Sequence, residues 1–188
     1  MDATPHGVGT QTGMVRGLHY DSVTIALHWA SALLVALLFL IGKTIDYAPN
    51  GALRIDYRSL HMALGVTLLA VFTARVMWRF AHGGVLPPEG NVWLARAARL
   101  VHRILYLLIP ITLLLGLANV WVRGDVVFNL FKVPAYDPGD KALRELIGGW
   151  HALAADAIVV VAGLHAAAGL FHHYVLRDGV LRRMLPRG

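Results

Sequence analysis

His151 and His165 stand fourteen residues apart inside one long apolar run, Trp150 to Tyr174. Ionisable side chains at membrane depth are rare and mark sites by default, so chemistry is sought there first. At 100° per residue their separation falls within about 40° of a whole number of turns, so both rings leave one helix face. Along the axis they lie roughly 21 Å apart, one near each side of an ~30 Å hydrocarbon core. Ala155, Ile158 and Ala162 occupy that face between them, with Gly169 beyond, and small residues leave room for a flat group. Single histidines in apolar runs can also simply bond to neighbouring helices. Two of them at this spacing point to stacked cofactor levels, and His28 and His61 supply candidate partners from other runs.

The elements that carry them are membrane helices. Of 188 residues, 57% are hydrophobic and only 15% charged, values a soluble domain of this size rarely reaches. Mean hydropathy is +0.59. Cysteine is absent, which excludes disulfides, thiolate-held iron–sulfur clusters and covalent c-type haem attachment. Four spans are expected over about 22–43, 60–81, 102–122 and 147–176, within one domain, 21–188, behind a flexible tail, 1–20. The first span is too long for a signal-peptide core and reads as a retained anchor. Residues 43–59 read as a polar loop around Pro49-Asn50-Gly51, and 123–149 as a longer loop whose aromatics and prolines form an ordered cap. Residues 92–102 read as an amphipathic lead-in to the third span, which Pro110 is expected to kink.

Orientation follows from lysine and arginine. One side carries Arg16, Arg75, Arg79, Arg96, Arg99, Arg103, Arg177, Arg182, Arg183 and Arg187; the other carries Lys43, Arg54, Arg58, Arg123, Lys132, Lys141 and Arg144. The richer side is expected to be cytoplasmic, with both termini on it. His61 and His151 then share the outer level, where no other histidine is available. At the inner level His28 faces His165, with His102 and His172 as poorer candidates. Arg79 lies eighteen residues from His61, five whole turns, on the same helix face at the opposite surface. Arg75 and Arg79 either anchor the helix to lipid head groups or pair with carboxylates of whatever the histidines hold.

Zinc wants three or four protein ligands, and neither histidine pair has a neighbouring carboxylate or thiolate to complete a tetrahedron. Haem iron asks for one ligand above and one below, and a four-helix bundle is a natural container for it. The fold class expected is therefore all-α, an integral membrane four-helix bundle enclosing two b-type haems. Iron held by two histidines has no open position, so it carries electrons and does not bind oxygen.

Several motifs resemble the bacterial cytochrome b561 family: Leu27-His28-Trp29, His61 with Gly65 and Arg75, His102 with Tyr106 and the Pro110/Gly116 pattern, and above all Trp150-His151, Gly163-Leu164-His165 and His172-His173-Tyr174. The likeness covers about residues 18 to 187 and is strongest to the small diheme members that act as superoxide oxidases. It implies haem ligands at His28, His61, His151 and His165. It also implies superoxide as electron donor, ubiquinone as acceptor, membrane lipid as surroundings, no nucleic acid and no obligatory protein partner, in the bacterial cytoplasmic (inner) membrane. On that reading Arg54 and Arg58 are the first candidates for steering the anion to the outer level, beside Lys132, Lys141 and Arg144. Asp156 would handle protons or cap a neighbouring helix. Two other functions compete: the membrane subunit of a dehydrogenase or hydrogenase, and a non-redox proton-coupled transporter.

Overall fold

The computed structural model describes residues 19–82 and 92–186. Most of the tail expected over 1–20 lies outside the described residues, as do Arg16 and Arg187 of the charge count. Four long helices make the frame: α1 Ser22–Thr44, α2 Ala52–His82, α3 Val92–Arg123 and α4 Lys141–Phe171. A short 3-10 turn, Ile45–Tyr47, extends α1, and a π-helical turn, His172–Leu176, extends α4. All four are long and apolar enough to cross a membrane. Asp21 caps α1 by accepting from the Thr24 backbone and hydroxyl, and Asp140 caps α4 by accepting from the Leu143 N–H.

The helices outrun the expected spans, and this corrects two loop assignments. Residues 52–59 belong to α2, and 141–149 to α4. Hydropathy marks only where lipid is, whereas Ala52-Leu53-Arg54 and Lys141-Ala142-Leu143-Arg144 are strong helix formers that continue the helix into the head-group zone. The lead-in at 92–102 is likewise continuous with α3, which passes through Pro110 as a single helix.

Packing is inside out by soluble standards. Leu33, Leu40, Val66, Leu107, Leu114, Leu153, Val160 and Leu164 are exposed on the outside, and among the described residues the buried apolar set is as small as Ile25, Ala48, Leu68, Phe72, Val122 and Ile158. A surface of this kind faces hydrocarbon. α1 packs closely on α2 and α3 on α4, while the two pairs touch each other sparsely. Space between the pairs is therefore where a cofactor can sit.

Gly124 turns the chain after α3 at φ 66, and a two-stranded hairpin follows, β1 Val126–Val127 with β2 Phe131–Lys132. Ser59 of α2, fully buried, anchors it: its hydroxyl donates to the Ile55 carbonyl at 2.7 Å and accepts from the Phe128 N–H at 2.7 Å. The opposite end is closed by the C-terminal segment. Trp29 Nε1 donates to the Met184 carbonyl, the Tyr20 N–H to the Arg183 carbonyl, and Trp78 Nε1 to Asp21.

Candidate cofactor sites

At the hairpin end the His61 and His151 rings face each other from α2 and α4, centroids 6.1 Å apart and planes at 78°. At the termini end His28 and His165 face each other from α1 and α4 at 6.2 Å and 77°. Two metal–nitrogen bonds of about 2.0 Å in line, with the ring radii added, put trans imidazole centroids about 6.4 Å apart. Both pairs meet that spacing. His102 lies nearer His165, centroids 5.0 Å, too close for an ion between the rings. His172 is engaged elsewhere, its Nδ1 2.5 Å from Asp178 Oδ2. Among the described residues no group of three or more His, Asp or Glu is arranged to hold a metal.

The His61–His151 level borders a cavity of about 690 Å³, whose walls include Leu38, Gly42, Gly65, Leu68, Gly116 and Ile158. His151 Nδ1 lies 3.1 Å from the Thr112 carbonyl of α3. A carbonyl only accepts, so Nδ1 carries the proton and Nε2 keeps its lone pair for a metal. Gly116, one turn beyond Thr112, makes this reach feasible: a Cβ there would stand 3.1 Å from His151 Cε1. The arrangement repeats across the cavity. Gly42 of α1 faces the His61 ring, where a Cβ would stand 3.2 Å from Cε1. The His61 ring is close enough to the Leu38 backbone, one turn before Gly42, to interact with it, while the Nδ1 of His28 is buried without a hydrogen-bond partner among the described residues. These residues fit a flat group held through iron between paired imidazoles.

Gly116→Val tests the Thr112 contact. Alanine asks the ring to give by a few tenths of an ångström; valine adds two methyls that push it away. Gly116→Val is expected to lower metal-cofactor occupancy at this level by about tenfold, the scale of second-shell effects, with the His28–His165 level unchanged. Cofactor content and the reduced-minus-oxidised spectrum report it.

The expected cations separate by position. Arg75 sits with its guanidinium 5.6 Å from the Tyr106 ring centroid, within electrostatic range of His28, His102 and His165; Arg79 is within range of His102. Arg54 is turned back onto its own connection, donating to the Ala48 and Asp46 carbonyls. Arg58 instead lines a cleft of about 640 Å³ with Arg123, Asp125, Lys141, Arg144 and Glu145. That cleft shares Arg58, Arg123, Asp125 and Gly148 with the cavity behind it. Lys132 lies on the hairpin and lines neither. Sequence reasoning counted Arg123 only toward the charge of one side and gave neither it nor Asp125 a place in a site; their position on either side of Gly124, at the turn that reverses the chain over the bundle, was the available signal. Among the described residues Asp156 caps no helix; its Oδ1 lies 2.7 Å from Lys43 Nζ.

Comparison with known proteins gives the family. The family model described as prokaryotic cytochrome b561 matches residues 19–187. The chain is similar to the probable superoxide oxidase CybB of Yersinia pestis, 28% identical over 171 residues, covering 89% of this chain and 96% of that one. It is also similar to cytochrome b562 of Cereibacter sphaeroides, 31% identical with 89% and 96% covered, and to cytochrome b561 homolog 2 of Escherichia coli K12, 30% identical with 89% and 92% covered.

Proposed function

Since the chain belongs to the prokaryotic cytochrome b561 family, a multi-pass bacterial membrane protein binding b-type haem for electron transfer, we propose that it takes up two haems and oxidises superoxide at the expense of ubiquinone. The observation that carries the stoichiometry is the matched spacing of the two histidine pairs, 6.1 and 6.2 Å. Haem held by these histidines would supply a one-electron couple. The balanced reaction takes two superoxide anions, one ubiquinone and two protons to two dioxygen molecules and one ubiquinol.

The chain's residues have distinct tasks. His61 and His151 would hold one iron and His28 and His165 the other; α4 gives a ligand to each pair and α2 or α1 gives the second, so closing the bundle sets both sites. Thr112 fixes the His151 tautomer. Arg75, and Arg79 beyond it, neutralise carboxylates at the termini end. Arg58 and its neighbours concentrate anions at the hairpin end, which the lysine and arginine bias puts on the periplasmic side with both termini cytoplasmic. The name of the Yersinia relative supports superoxide as donor, and the basic cleft opening onto the histidine cavity supports an anionic substrate.

Pulsed superoxide applied to the purified protein is expected to reduce haem within the pulse, and added ubiquinone to reoxidise it. Failure of the first step removes superoxide as donor; failure of the second removes the quinone.

A further inference from the structure

Lys43 and Asp156 form an ion pair where none is expected. Asp156 lies five residues beyond His151, so about 7.5 Å further into the span. Lys43 follows Gly42, the residue facing His61. A lysine near a helix end ordinarily extends its ammonium outward to the interface. This one is drawn inward instead, to 2.7 Å from Asp156 Oδ1, with the Phe39 ring 5.3 Å away. Both side chains are about half exposed, 54% and 48%. Charges left open on the flank of a bundle at hydrocarbon depth are costly without a polar occupant.

We propose that this pair is the head-group site of a membrane-dissolved quinone, entering between α1 and α4. The proposal deepens the acceptor half of the function above and rests on it. Lys43 also lines the cavity of His61 and His151, together with Phe39, Ala155 and Val159. The flank and the redox level therefore share one wall. The occupant's chemistry follows from the pair. An ammonium has three N–H donors, and Asp156 takes one, so a carbonyl oxygen can take another. Lys43 and Asp156 sum to no net charge, which favours an uncharged acceptor over a phosphate that Asp156 would repel. Phe39, Ala155 and Val159 offer apolar contact to a ring reached from lipid. An uncharged ring with carbonyl acceptors and a hydrocarbon tail is a quinone.

The test uses the full protein in lipid nanodiscs with an azido-ubiquinone photolabel, followed by peptide mapping. Labelling is expected in the 39–43 and 155–159 segments. It should fall about tenfold in Lys43→Gln/Asp156→Asn, which removes both charges and leaves neither unpaired. Reoxidation of the reduced protein by decylubiquinone should fall by a like factor, while reoxidation by ferricyanide stays unchanged. Label confined to other segments, or unaffected by the double variant, overturns the site. Label in these segments without any quinone-driven reoxidation upholds the site and removes ubiquinone as the acceptor.

Discussion

His61→Ala or His151→Ala is expected to take away one haem per chain and leave the other spectrally intact. Each pair sits at its own level, roughly 21 Å from the next along α4, so neither site leans on the other. Among the described residues no further histidine stands near the pair at the hairpin end to replace a lost ligand, whereas His102 lies beside His165 at the other end. Losing a second-shell partner already costs about 10–100-fold in metal affinity, and losing a ligand is expected to cost more. Haem content per chain should therefore halve. His102→Ala is the informative contrast. With its ring centroid 5.0 Å from that of His165, it is placed beside the ligand and not across an iron from it, so both haems should remain. Loss of the haem at the termini end in His102→Ala would put His102 into the ligand set in place of His28.

The level of each histidine was legible because helix rise and turn angle are fixed by backbone geometry, so fourteen residues along α4 translate directly into depth and face. What spacing could not give is which helix lies opposite. Gly42 shares a face with His28 on α1, and only the packing of α1 against α2 reveals that it faces His61. Gly116 enters from sequence through the Pro110/Gly116 pattern; the structure shows it accommodating the His151 ring beside the Thr112 carbonyl. Charges were least legible. Arg54 and Arg58 are one helical turn apart, yet carbonyls of the preceding connection hold the first, and the second lines the cleft. Side-chain length lets Lys43 reach a carboxylate that sequence alone could not pair with it.

Anion steering through that cleft is expected to depend on Arg58 and to be restrained by Asp125. Arg58 Nη1 and Arg123 Nε lie 3.7 and 3.6 Å from the same Asp125 oxygen, on the boundary shared by cleft and cavity. An ionised Asp125 offsets one of the two guanidinium charges where an incoming anion would feel them. Lys141, Arg144 and Glu145 of α4 complete the charged surroundings. Positive clefts raise association rates by about tenfold or more, and salt screens them as the Debye length falls from ~10 Å at 0.1 M to ~3 Å at 1 M. Arg58→Gln should therefore slow haem reduction by an anionic one-electron donor about tenfold at low salt, and Asp125→Asn should speed it. The pH dependence has a definite sign. Burial pushes the Asp125 carboxyl up from its usual range, outweighing the pull of Arg123 and Arg58. As pH falls through that raised value the carboxylate is neutralised, the cleft gains one unit of positive charge, and the rate should rise; at higher pH the restraint returns. Asp125→Asn should abolish the inflection and hold the faster rate throughout. A neutral donor measured in parallel should show neither the salt slope nor the inflection. Equal salt slopes for neutral and anionic donors would remove the cleft from the entry route, and an unchanged rate in Asp125→Asn would remove the restraint.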